Sequence, residues 1–177
     1  MSGETVAEQR IATALLGLLN VKSFDRISIT EITEKAAVSR VSYYRNFPSK
    51  EDILLRHSEY VFDGIVDDLR SGKLKSGYDL WERLLSELSD SNLAVNMCKA
   101  GFEEEFFRIF ESRMETIFTE ILGIDINEKM NLVFMEFVIG GLIALINKPM
   151  LINRKITSED VAAFLRVLGE HSFLLGH

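Results

Sequence analysis

Residues 28–52 read Ser-Ile-Thr-Glu-Ile-Thr-Glu-Lys-Ala-Ala-Val-Ser-Arg-Val-Ser-Tyr-Tyr-Arg-Asn-Phe-Pro-Ser-Lys-Glu-Asp. Two short helices joined by a tight turn are written into this stretch. Ser28, followed three residues later by Glu31, is a capping box in which each side chain bonds the other residue's backbone N–H. Ser39 is a good cap for the second helix. Pro48 ends that helix because the residue before a proline avoids the α region. Ala36-Ala37-Val38 forms the turn between them. The apolar positions Ile29, Ile32, Ala36, Val38, Tyr43 and Phe47 suit two helices crossing steeply over a small core.

Positive charge gathers in the same stretch. From Lys35 to Lys50 there are four basic residues, Lys35, Arg40, Arg45 and Lys50, and no acidic one. The chain of 177 residues has a net charge of −7, divided as +1 over residues 1–56 and −8 over residues 57–177. This excludes non-specific coating of nucleic acid by the whole surface and leaves the N-terminal third to dock on phosphate. A steeply crossed helix pair places its second helix in the DNA major groove, with its N-terminal residues towards base edges. Arg40, Ser42 and Arg45 have the right chemistry: Arg bonds guanine bidentately, and Ser serves either a donor or an acceptor. Tyr44 and Lys50 suit phosphate, and the free N–H groups at the start of the next helix add to that.

Further from this stretch, helix-period patterns dominate. Apolar residues make up 47% of the chain and there are two prolines, Pro48 and Pro149. The patterning predicts an all-α protein of about nine helices. They span roughly residues 4–20, 28–36, 39–47, 49–69, 78–89, 93–100, 102–122, 125–148 and 157–174. The most apolar run, residues 132–146, is fifteen residues long and contains Glu136. It falls short of the roughly 20 residues needed to cross a bilayer and reads as a buried helix, with no membrane partner. The N-terminus lacks a basic segment followed by an apolar run, so no signal peptide is expected. Cys98 is the single cysteine, which rules out an intramolecular disulfide and fits a reducing, cytoplasmic location.

The run Ala-Ala-Val-Ser-Arg-Val-Ser-Tyr-Tyr-Arg-Asn-Phe-Pro-Ser-Lys-Glu-Asp-Ile-Leu, residues 36–54, resembles the TetR family of bacterial one-component regulators. The spacing of Tyr44, Phe47, Ser49, Lys50 and Glu51 is its most specific part, and the resemblance covers about residues 8–56. It implies a three-helix helix-turn-helix DNA-binding domain over residues 1–52 and a helical ligand-sensing and dimerisation domain over residues 53–177. It implies a homodimer on a palindromic double-stranded DNA operator, acting as a repressor that responds to a small-molecule effector. The alternatives are an activator of the same fold, or an interaction module without operator binding. By the same resemblance, Arg40, Ser42, Tyr43, Tyr44, Arg45, Asn46 and Lys50 approach DNA, Thr30 touches phosphate, and Ser39 and Val41 complete the set. Two positions depart from the family pattern. Ala37 stands where glycine is usual, at a cost of up to about 1 kcal/mol if it takes positive φ. Val41 stands where a small residue is usual and offers a branched side chain to a thymine methyl.

The C-terminal half carries aromatic residues at helical spacing. For any single one the plain reading is hydrophobic core. Together they suggest an apolar pocket with a few polar groups, formed by His57, Tyr60, Trp81, Met97, Phe102, Phe106, Phe110, Phe134 and Phe137, with Asn96 and Glu136 as further polar candidates. The helix over residues 125–148 is apolar nearly all round, more than one chain's core requires. With the last helix it is expected to form a four-helix bundle between two copies. The expected interface residues are Val138, Gly141, Leu142, Leu145, Phe164, Leu165 and Leu168. No Gly-rich phosphate loop or His-Glu-x-x-His motif occurs, and the three histidines are dispersed. Enzymatic activity, catalytic residues, a metal site and a cofactor are therefore not expected.

Overall fold

The computed structural model describes residues 5–90, 93–146, 160 and 163; of Gly77, Tyr78, Trp81, Leu85, Leu88, Ser89, Asp90, Leu142, Leu145 and Ile146 only the backbone is described. Among these residues the chain is all-helical. Its elements are α1 (Val6–Leu19), a 3-10 turn (Phe24–Arg26), α2 (Ile29–Ala36), α3 (Arg40–Asn46), α4 (Lys50–Arg70), α5 (Gly77–Asp90), α6 (Leu93–Ala100), α7 (Glu103–Thr116), a π-helical turn (Ile117–Ile121) and α8 (Lys129–Ile146). The expected ninth helix lies outside the described residues, as do Phe164, Leu165 and Leu168.

Local chemistry sets most of the boundaries. Thr5 and Glu8 form a capping box at the start of α1, and Ser28 and Glu31 form one at α2. Ser49 precedes α4 and meets Asp52 by two bonds: Asp52 N–H donates to Ser49 Oγ at 3.2 Å, and the Ser49 hydroxyl donates to Asp52 Oδ2 at 2.7 Å. At α6 the chain turns through Gly101, at φ +82°. Gly101 N–H bonds Cys98 O at 3.1 Å and Phe102 N–H bonds Met97 O at 2.9 Å, the paired bonds of a Schellman end. The pattern over residues 102–122 predicts one α-helix, but α7 gives way at Ile117 to a π turn. There Leu122 N–H reaches back five residues to Ile117 O at 2.9 Å.

Two compact units emerge. The first comprises Met1–Phe62 with Ser91–Ile109, and the second Asp63–Asp90 with Phe110–His177. In the first, α1 packs on α2 and α3, and α6 packs on α1 and the 3-10 turn. Ile11, Leu15, Ile32, Tyr43, Phe47, Ile53 and Leu54 are fully buried there. Each large apolar side chain so buried contributes about 1.5–3 kcal/mol relative to an exposed one. In the second unit Phe110, Met114, Ile117 and Leu84 are buried, Arg113 pairs with Asp63, and Asp68 receives Lys73 at 2.6 Å and Arg83 at 3.6 Å. Among the described residues, no helix is long and apolar enough to cross a membrane.

α8 shows a phase that its sequence leaves undetermined. Val138, expected at the interface between copies, is 6% exposed, whereas Phe137, expected in the ligand pocket, is 59% exposed. Val138 thus turns inward and Phe137 outward within the chain. A helix that is apolar nearly all round carries no internal signal for which stripe turns inward. The outward stripe is Met130, Val133, Phe137, Gly140, Gly141 and Ala144, which recur at helical spacing.

Candidate nucleic-acid interface

The candidate surface is built by α2, its turn and α3. α2 ends at Ala37, whose φ of 52° and ψ of 49° put a non-glycine residue in the left-handed region. The turn is stabilised by Ala37 N–H to Glu34 O at 3.1 Å and Val38 N–H to Thr33 O at 3.0 Å. The Ala37 carbonyl accepts from Arg10 Nη2 at 3.4 Å, so α1 helps to secure the turn. Ser39 then caps α3, accepting from Ser42 N–H at 3.0 Å. Phe47 breaks out of the helix into extended backbone, φ −135° and ψ 124°, ahead of Pro48.

This geometry divides α3 into two faces. Arg40, Val41, Tyr44 and Arg45 are exposed, and Ser39 is exposed at the cap. Ser42 and Asn46 are half-buried on the flank, where Asn46 Nδ2 donates to Ser42 O at 2.6 Å. Thr30 comes to the same surface from α2, because Arg40 Nη2 donates to Thr30 Oγ1. The structure therefore brings together Thr30, Ser39, Arg40, Val41, Tyr44 and Arg45. No acidic residue lies within α3.

Tyr43 differs from expectation. It is 0% exposed, its hydroxyl has no hydrogen-bond partner among the described residues, and burial, with Glu51, Tyr44 and Asp52 adding to it, pushes its pKa up to about 12. Its ring meets that of Tyr44 edge-on at 5.2 Å. Tyr43 therefore supports Tyr44 from below and does not face a ligand. Lys50 also departs from a solvent-facing pose, since its ammonium turns onto the carbonyls of the 3-10 turn.

One supporting residue, Arg56, has no local signal in the sequence. Arg56, on the second turn of α4, donates from Nη1 to Glu8 Oε1 at 3.0 Å and to Asn46 O at 2.7 Å. Its guanidinium also lies 5.4 Å from the Phe47 ring centre. One side chain thus ties α1, the end of α3 and α4 together.

The pocket candidates are distributed over both units. His57, Tyr60, Met97, Phe102 and Phe106 belong to the first, and Trp81, Phe110, Phe134 and Phe137 to the second. Met97, Phe106 and Phe110 are buried, Phe106 packing against Phe62 at 5.7 Å and Phe107 at 5.4 Å. Phe134 meets Phe118 edge-on at 6.2 Å. Asn96 is 1% exposed, and neither its Oδ1 nor its Nδ2 has a hydrogen-bond partner among the described residues. Burial, then Glu103, pushes the Cys98 thiol above its ordinary range, which disfavours the reactive thiolate. Among the described residues, no cluster of His, Cys, Asp and Glu could hold a metal ion.

Comparison with known proteins agrees with this surface. Residues 11–56 match the family model described as bacterial regulatory proteins, tetR family. The HTH-type transcriptional regulator CymR of Pseudomonas putida is 28% identical over 83 residues, which are 46% of this chain and 41% of that relative. The match thus spans less than half of the relative's length. No solved structure matches the chain.

Proposed function

We propose that this chain, whose residues 11–56 match the model for bacterial regulatory proteins of the tetR family, acts in the cytoplasm as a homodimeric repressor that binds a palindromic operator and releases it on binding a small effector. The observation that carries this reading is the outward face of α3. Arg40, Val41, Tyr44 and Arg45 stand exposed on a helix without an acidic residue, in a chain whose remainder is acidic. Arg40 is assigned to base edges, with Val41 beside it for a thymine methyl, while Ser39, Tyr44, Arg45 and Thr30 fix register on the backbone. Ser42 and Asn46 are assigned to the flank of the groove.

Residues 1–52 are assigned to operator binding and residues 53–177 to sensing and pairing. The outward stripe of α8 supports pairing, because Met130, Val133 and Phe137 leave apolar surface in water that a second copy would cover. Gly140 and Gly141 are exposed with nothing near their Cα hydrogens, which suits close approach of a partner helix. Two reading helices related by a two-fold axis meet half-sites about 34–36 Å apart, or multiples of this. An effector that prefers one placement of α4 would change that separation and release the DNA.

Gel-shift titrations over varied salt and sequence test the assignment. Arg40→Ala is expected to change which sequence is preferred, and Arg45→Ala to weaken binding to all sequences alike. Unchanged affinity and preference in both variants would remove the operator-binding reading.

A further inference from the structure

Lys50 opens α4, yet its ammonium group faces the protein. Nζ donates to the Phe24 carbonyl at 2.8 Å and to the Ile27 carbonyl at 3.3 Å, and it lies 4.4 Å from the centre of the Phe24 ring. An ammonium has three N–H donors, and two of them are engaged here. The π face of the aromatic ring attracts the same charge. Reaching a phosphate would mean giving up all three interactions.

The residues on either side of this clamp lead in two directions. Ile27 immediately precedes Ser28, the cap of α2, and α2 carries Thr30, which holds Arg40. On the other side, the Phe24 ring meets Phe102 edge-on at 5.6 Å, with the planes at 82°. Phe102 is fixed to the end of α6 by its N–H bond to Met97 O at 2.9 Å. A continuous set of interactions within the first compact unit therefore runs from the α6–α7 junction, through Phe24 and Lys50, to the residue assigned to base edges.

We infer that Lys50 is a positioning residue for the reading helix and not a phosphate ligand, and that Phe24 couples it through Phe102 to the α6–α7 junction. The inference rests on the reading of this chain as a DNA-binding regulator. It assigns control of operator affinity to a path distinct from the length of α4.

The test uses the full chain without added effector, and two duplexes: the one that the wild-type protein enriches from a random pool, and a scrambled version of it. Affinity is measured by fluorescence anisotropy over a potassium chloride series. Lys50→Met is expected to weaken binding to the enriched duplex about tenfold and to bind the scrambled duplex with little change, leaving the salt slope intact. Arg45→Ala, the control on the exposed face, lowers the slope by about 0.9 for each phosphate that it no longer neutralises. Phe102→Leu is expected to lower affinity for the enriched duplex several-fold, again with the slope intact. Combined with Lys50→Met, its effect should be less than additive. A slope reduced by Lys50→Met as by Arg45→Ala, or equal weakening on both duplexes, overturns the positioning role. Unchanged affinity in Phe102→Leu, or full additivity, overturns the coupling. If Lys50→Met melts below the assay temperature, Lys50→Arg replaces it. A phosphate ligand keeps its discrimination with arginine, whereas a clamp shaped for one ammonium loses it. If the wild type binds neither duplex, the DNA-binding reading itself fails, before any variant is compared.

Discussion

Arg56 Nη1 lies 3.0 Å from Oε1 of Glu8, a carboxylate that is buried while its partner is half-exposed. The same nitrogen also serves the carbonyl of Asn46, the last residue of α3. Removing the guanidinium leaves the buried Glu8 carboxylate with the Thr5 N–H but without its cation, and opens the Asn46 carbonyl to water. Arg56→Ala is expected to destabilise the fold by about 2 kcal/mol, less than for a fully buried pair because solvent reaches Arg56. Urea denaturation measures this, and a loss below about 0.5 kcal/mol would show that the pair is a surface ornament.

Ala37 carries the only positive φ among the described non-glycine residues. Ala37→Gly removes the clash of Cβ with the backbone but gives the unfolded chain more freedom. The first effect dominates where φ is positive, so the variant is expected to gain up to about 1 kcal/mol. Chemical denaturation with an unchanged m-value would confirm the sign, and a destabilised variant would refute it.

The Glu31 carboxyl is held down from 4.5 to about 2, chiefly by the hydrogen bond from Lys22 and then by the backbone and hydroxyl of Ser28. Between those pH values the unfolded state binds more protons than the folded one. The contribution to stability is therefore complete above about pH 4.5 and disappears as pH falls towards 2. Thermal melts of Glu31→Gln should show a flatter acid limb over this window, and high salt should shrink the difference. Identical acid limbs would show that the capping box forms without the charge.

Asn96 places two donors and one acceptor group in a buried position without partners among the described residues. A leucine of similar volume removes that desolvation cost, so Asn96→Leu is expected to gain about 1–2 kcal/mol. Differential scanning calorimetry would show a raised Tm. A lowered Tm would mean that the amide is already satisfied in solution, by ordered water.

Phe137 gives a direct test of pairing. Being exposed, it can become glutamate with little cost to the folded chain. Sedimentation velocity at micromolar concentration should give a dimer for the wild type and a monomer for Phe137→Glu, with equal circular dichroism. A dimeric variant would move the interface away from this stripe.

What could be read from sequence was what neighbouring residues decide among themselves. Ser28 with Glu31, Ser39, Pro48 and the left-handed Ala37 all act within five residues, so the helix pair and its turn were legible. The reach of Arg56 to Glu8 crosses 48 positions and leaves no periodic trace. Tyr43 and Tyr44 are identical side chains one residue apart, and only the rotation of α3 buries one and exposes the other. The outward turn of Phe137 and the inward turn of Val138 on α8 have the same origin. The family resemblance pointed to the α2–α3 region but carried no sign of the inward pose of Lys50, which depends on two carbonyls and a ring more than twenty residues away.

The bond between Arg40 and Thr30 bears on the timing of recognition. A free arginine would have to lose much of its rotamer entropy on meeting a base. Here part of that ordering has already happened in the free chain. In the role proposed for Arg40, its guanidinium would exchange the Thr30 hydroxyl for a base edge, and the threonine would hold the side chain in one pose until that exchange.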